Sequence, residues 1–251
     1  MSNVGAGDTP ESGHAAEIKI LRRMLANRHS CRGFLARPVA RETIADIVND
    51  SQRSASWCNS QAWQLIITEG AGTERFRQAF SAYAASQLTG AAQLSAKPDG
   101  GSTSDIAFPE RYEGIYRERR RETAWRLYES VGIRYGDRDA SRAQTMQNFS
   151  LFGAPHVAIV TTPKDLGAYG GVDCGGFIAL FMLVAQAHGV ASIAQAAIAS
   201  FSPFIHEFFN IPSDRNVLCG ISFGYEDPNH PANNFRTGRA DFNEIVAFTE
   251  K

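Results

Sequence analysis

The stretch CGGFIALFMLVAQAHGVASIAQAAIASFSPFIH, Cys174 to His206, contains no Asp, Glu, Lys or Arg. Cys174 to His188 reads as a helix, apolar on every face and closed by Gly189 as a C-terminal cap. Val190 to Ala194 is a short β-strand. Ser202 to Phe209 is a second helix, with Pro203 in its first turn, where a missing N–H costs nothing. Helix, strand and helix in succession here predict a mixed α+β fold. The longest apolar run, Cys174 to Ala187, is too short to span a bilayer, so it reads as a core helix.

Working outward, Ile18, Leu21, Met24 and Leu25 recur at helical spacing, giving a helix that ends near Asn27. Helices are predicted over Arg41 to Arg53, Thr73 to Leu88, Tyr112 to Tyr135 and Ala143 to Phe152. Strands are predicted over Trp63 to Thr68, over His156 to Thr162 (closed by Pro163), and over Asn216 to Phe223. Thr89 to Pro109, rich in Gly, Ser and Ala, reads as a loop or mobile insertion. This order gives an α+β fold in one domain, residues 16–251, behind a disordered tail at 1–15.

With 25 Lys and Arg against 26 Asp and Glu, the net charge is -1. That balance excludes a general attraction to nucleic acid or to an acidic membrane. The N-terminus lacks the basic and apolar regions of a signal peptide, so the expected location is cytoplasmic and the four cysteines are expected to be reduced. The histidines have no metal-ligand spacing, so no metal is expected.

Three patterns imitate function. Gly220-Ile221-Ser222-Phe223-Gly224 matches G-x-S-x-G, but Tyr225 to Pro231 cannot form the helix that a nucleophile elbow needs, and too little chain follows for the rest of a hydrolase. A buried strand with closely packed glycines explains it better. Arg117 to Arg126 is arginine-rich, but Glu113 and Glu122 stand four residues before Arg117 and Arg126, as on a solvated helix face. Gly170-Gly171 and Gly175-Gly176 flank a helix start without the spacing of a dinucleotide fingerprint.

Three segments can carry chemistry, beside plainer readings in which arginines at a helix end favour the helix dipole and an Asn/Ser turn precedes a core tryptophan. Arg28-His29-Ser30-Cys31-Arg32 offers two guanidiniums and a hydroxyl where a helix ends, a donor set suited to a phosphate monoester. Ser54 to Trp63 holds Asn59 and Gln61 between two tryptophans. A carboxamide there presents donor and acceptor together, as the imide edge of a flavin requires. Asn233 to Arg239 adds Arg236 and Arg239 near the C-terminus.

In this order, from about Ala16 to the end, the segments resemble the FMN-dependent nitroreductase family. R-H-S-x-R, S-x-S-x-x-N-S-Q-x-W and the closing R-x-x-R are its landmarks, and Gly189 to Ala197 is similar to its segment beside the flavin ring. Ala62 and Ala194 stand where the family often has proline, which leaves the backbone freer. The resemblance implies a nitroreductase-like fold, a central mostly antiparallel sheet surrounded by helices, in an intertwined homodimer with FMN at each interface. It implies that Arg28, Ser30, Arg32, Arg236 and Arg239 hold the phosphate. His29 would stand near the ribityl chain or ring edge, Asn59 and Gln61 at the pyrimidine edge, and the Gln195-Ala196 backbone near N5. It implies ping-pong transfer from NAD(P)H to a small nitroaromatic or quinone-like acceptor, with the chemistry carried by FMN rather than by a catalytic side chain. The variable insertion, about 89–138, would cover the substrate pocket. Reductive dehalogenation, a metabolite-specific flavin oxidation and flavin binding without turnover are the alternatives on such a fold.

Overall fold

Four consecutive residues of one strand show how the core is built. Val157 and Ile159 point to one side of the sheet, Ala158 and Val160 to the other, and all four are fully buried. They lie on β2 (His156–Pro163), the second of four strands. In the computed structural model, which describes residues 10–88 and 103–250, the strand order is β1 (Gln64–Ile67), β2, β4 (Arg215–Gly224), β3 (Ala191–Gln195). Every neighbouring pair is antiparallel, with Ile66 opposite Ile159, Val160 opposite Cys219 and Ile193 opposite Ser222.

Because side chains alternate across a strand, the sheet needs cover on both faces. Ala158, Val160, Ile221 and Phe223 pack with Ile47 of α2 (Arg41–Ser51) and with Phe177 and Phe181 of α6 (Gly167–Ala187). Val157, Ile159 and Val217 pack on the other side with Phe76 and Phe80 of α3 (Ala71–Gln87) and Ile205 of α8 (Ser202–Phe209). On that side Phe80 stacks against Phe204 at 5.5 Å and meets Phe149 edge-on at 5.4 Å. The result is an α+β sandwich of three layers.

Several boundaries differ from expectation. The first helix, α1, spans Pro10–Asn27, so residues 10–15 are helical rather than part of a tail, and residues 1–9 lie outside the described residues. The insertion contains α4 (Gly114–Ser130), shorter than predicted, while 89–102 lie outside the described residues. α5 (Arg138–Met146) begins before the predicted Ala143, with Asp137 accepting the Ala140 N–H as its cap, and ends before Phe152, with Leu151 and Phe152 beyond it in a turn at φ 60° and 52°. α6 begins seven residues before Cys174, so both glycine pairs lie within it rather than at its start. Gly170 and Gly176 let neighbours approach: an added Cβ would sit 2.6 Å from Thr162 Oγ1 and 3.1 Å from Ser54 Oγ, respectively. Through that early start the helical stretch becomes long and apolar enough to cross a membrane. Its Gly170, Asp173, Cys174, Phe177, Phe181 and Ala185 nevertheless form one buried stripe, the pattern of a helix packed on a sheet.

On α4 the Glu122–Arg126 pair forms at 2.8 Å, but Glu113 bonds Arg111 at 2.8 Å instead of Arg117. Glu113 is the extended residue before the helix (φ -123°), so it does not share the helical face of Arg117.

Candidate functional site

Arg28 to Arg32 leave α1 and meet the open edge of β3. Ser30 forms a parallel bridge with Ser192, and the Cys31 N–H donates to the Ser192 carbonyl at 3.2 Å. Cys31 is buried, with its thiol directed to the Gly33 carbonyl, while Ser30 and Arg32, one residue to either side, line a cavity. The C-terminal segment returns alongside. Leu35 N–H donates to Tyr225 O at 2.8 Å and Asp227 N–H to Gly33 O at 3.0 Å, and Asn233 then bonds the backbone of Arg32 at 2.7 Å.

The cavity between these segments measures ≈ 310 Å³, and its lining includes Arg28, Ser30, Arg32, Thr123, Arg236 and Arg239. Among the described residues none of these four guanidiniums pairs with a carboxylate. Arg236 and Arg239 donate to carbonyls of their own loop. Arg32 donates to Ser30 O and lies over the Phe235 ring, 5.7 Å from its centroid. The Arg28 side chain has no hydrogen bond among the described residues. Burial lowers the pKa of Arg28 below its ordinary value, and the like charge of Arg239 lowers it further. Burial alone does the same to Arg32. The partly desolvated Arg28 and Arg32, with the exposed Arg236 and Arg239 beside them and no carboxylate partner among the described residues, form a cradle for an anion.

His29 borders this cavity, but its ring nitrogens are already engaged. Nδ1 lies 3.0 Å from Asn27 O and Nε2 3.1 Å from Glu226 Oε1. It ties the first segment to the returning C-terminal chain.

Asn59 and Gln61 stand in a separate loop with unusual backbone. Cys58, Asn59 and Gln61 have φ of 52°, 56° and 48°. Left-handed conformations cost about 1–2 kcal/mol per residue, and such strain persists only where the surroundings impose it. Here Asp173 of α6 imposes it: Oδ1 accepts the Trp57 N–H at 3.1 Å and Oδ2 the Ser60 hydroxyl at 2.8 Å. Ser56 Oγ accepts the Gln61 N–H at 3.0 Å. Both carboxamides remain exposed. Sequence reasoning missed Asp173, although an acid on the edge of an otherwise uncharged helix was the available signal.

Gln195 is buried, and its side chain faces the core. Nε2 donates to Asn148 O at 2.9 Å, and Oε1 accepts the Ser222 hydroxyl at 2.5 Å. Only its backbone is available where β3 passes into α7 (Ala196–Ala199). Ser222 is therefore a structural donor. The flanking glycines admit neighbours, since an added Cβ would meet Ile198 at 2.4 Å from Gly220 and Pro155 at 2.5 Å from Gly224. From Ser192, beside Ser30, to Gln195 is three strand residues, or about 10 Å. The fold thus brings Arg28, His29, Ser30, Arg32, Arg236 and Arg239 to one cavity, and leaves Asn59, Gln61, Gln195 and Ala196 outside its lining.

Residues 25–225 match the model of the nitroreductase family, spanning both the cation cradle's first segment and the strained loop. The chain belongs to the nitroreductase family. Among nitroreductases, NfnB of Mycolicibacterium smegmatis is 28% identical over 247 residues, covering 97% of this chain and 96% of that protein. A 4-nitrobenzoate reductase of Pseudomonas putida is 31% identical over 221 residues, covering 86% and 89%. The crystal structure of the FMN-dependent nitroreductase NfnB from Mycobacterium smegmatis in complex with NADPH superposes with a TM-score of 0.84 at 27% identity, covering 93% of this chain and 99% of that one.

Proposed function

We propose that this nitroreductase binds FMN and uses NAD(P)H to reduce nitroaromatic or quinone-like acceptors in a ping-pong cycle. The observation that carries this reading is the cavity of four guanidiniums that, among the described residues, pair with no carboxylate, one of them making no side-chain hydrogen bond there. Its donor chemistry fits the dianionic phosphate of FMN. Arg28, Ser30, Arg32, Arg236 and Arg239 would hold that phosphate through charge-assisted bonds. The exposed Asn59 and Gln61 carboxamides would meet the ring's pyrimidine edge, presented by a loop that Asp173 holds in place. The Gln195-Ala196 backbone, fixed through the inward-facing amide, would border the ring. When bound, FMN supplies reversible two-electron chemistry. The chain's part is to bind and orient, and no side-chain acid or base is required.

The working unit would be a soluble homodimer. Only 33% of the apolar window of α6 is buried, with Val172 67% exposed, and Leu21 and Leu25 of α1 are exposed as well. A second copy on these faces would bury them. The insertion reaches the cavity through Thr123, which supports its role as cover.

The test is the absorbance spectrum of the purified protein with added FMN, before and after anaerobic NADPH. Flavin bands that bleach with NADPH and return with 4-nitrobenzoate are expected, with parallel double-reciprocal plots and a dimer by light scattering. A colourless protein that takes up no FMN ends this reading.

A further inference from the structure

The cavity is assembled from pieces of chain about two hundred positions apart, and one buried side chain joins them. Asn233 is 2% exposed and uses three hydrogen-bonding positions. Its Oδ1 accepts the Arg32 N–H at 2.7 Å, and its Nδ2 donates to Gly33 O at 2.9 Å and to Asp227 O at 3.0 Å. The chain from Tyr225 to Asp227 is already paired with Gly33 to Leu35 by backbone bonds. Beyond Asp227 it loops away through a turn, and Asn233 returns it to Arg32. The turn also relies on Gly33 being glycine, because an added Cβ would lie 2.2 Å from the His230 ring. Arg236 follows at once, donating to Asn233 O at 2.7 Å, and Arg239 stands three residues later. Outside this latch, besides the Arg32 guanidinium over the Phe235 ring at 5.7 Å, the described ties on the segment carrying them come from α4: Arg126 to Arg236 O at 3.4 Å and Arg119 to Glu244 at 2.7 Å. Both involve exposed side chains, which hold position weakly.

We infer that Asn233 is a positioning residue for anion binding. It docks the arginines of the C-terminal segment against Arg28 and Arg32, so that mutually repelling cations form one cradle before the anion arrives. The carboxamide suits this task because one neutral group both accepts and donates. An aspartate would place a carboxylate against two carbonyl oxygens. This inference rests on reading the cavity as the phosphate site, and it adds that the site's affinity is set by a residue outside the cavity lining.

The experiment compares the unsubstituted protein, Asn233→Ala, and Phe80→Leu, which loosens the core far from the cavity. FMN affinity is read by fluorescence titration, and inorganic phosphate binding by the rise in Tm it produces. Asn233→Ala is expected to raise the FMN Kd by about tenfold or more, the equivalent of 1.4 kcal/mol, and to abolish the phosphate-dependent rise. Phe80→Leu is expected to lower the starting Tm while preserving both responses, so general destabilisation does not imitate the result. Asn233→Ser, which retains a hydroxyl, serves if the alanine variant does not fold, and an intermediate loss is expected. An FMN Kd within twofold of the unsubstituted protein, with the phosphate response intact, overturns the inference. If the unsubstituted protein binds neither FMN nor phosphate, the anion-site reading itself fails and takes this inference with it.

Discussion

Replacing Arg28 with alanine separates what the cavity does for binding from what it does for stability. Arg28 is partly buried, lacks a side-chain partner among the described residues, and is disfavoured as a cation by burial and by Arg239. A lowered pKa in a base means that folding opposes the charged form, so this penalty is present at every pH where the guanidinium is protonated. An arginine stays protonated throughout the working range, and the penalty is therefore constant from about pH 6 to 9. The cofactor-free Arg28→Ala protein is expected to melt at the same temperature as the unsubstituted protein or higher, independent of pH across that range. Binding responds in the opposite direction. A hydrogen bond to a charged group contributes about 1.5–3 kcal/mol, so the FMN Kd is expected to rise roughly 10- to 150-fold. FMN at a hundred times the unsubstituted Kd stabilises by about 2.7 kcal/mol, and at a hundredfold weaker Kd by only about 0.4 kcal/mol. At about 2–4 °C per kcal/mol for a chain of this size, the FMN-induced rise in Tm falls from about 5–11 °C to about 1–2 °C. Differential scanning fluorimetry with and without FMN measures both quantities. An unchanged FMN-induced rise, or a cofactor-free variant that melts several degrees lower, would rule out Arg28 as a strained, unpaired cation of the phosphate site.

Burial raises the thiols of Cys31 and Cys219 to about 12 and that of Cys174 to about 11, whereas Cys58 is exposed. A thiol reagent near pH 8 is therefore expected to titrate one cysteine per folded chain and all four after denaturation, and rapid reaction of a second thiol in the folded protein contradicts the burial. Ser222→Ala removes the hydroxyl that donates to Gln195 Oε1 and is expected to cost about 1–3 kcal/mol in urea unfolding; a neutral outcome means another donor reaches that amide. Gly224→Ala drives a Cβ against the ring of Pro155, which cannot rotate away, and is expected to destabilise by about 1–3 kcal/mol in the same assay; unchanged stability means the Pro155 backbone shifts freely.

Much of this molecule was legible in one dimension. Helix ends at Asn27 and Gly189, strands around Ile66, Ile159 and Ile221, and the structural reading of G-x-S-x-G follow from periodicity, caps and flanking residues, all of which act within a few positions. The starts of α1 and α6 were less legible. Glycine lowers local helix propensity, and in α6 close packing at Gly170 and Gly176 overrides that preference. Residue types suited to a phosphate were likewise visible in Arg28, Ser30, Arg32, Arg236 and Arg239.

Other features depended on the assembled fold. Sequence did not reveal that Gln195 turns its amide inward, that His29 is already engaged with Glu226, that Asp173 shapes the loop of Asn59, or that Asn233 latches two distant segments. Each depends on partners separated by 27 to 201 positions. Local residue types limited which positions could form helices, strands and an anion cradle. Packing of distant segments selected which of their polar groups face one another, because a buried hydrogen-bonding group takes whatever partner the packed chain places within about 3 Å.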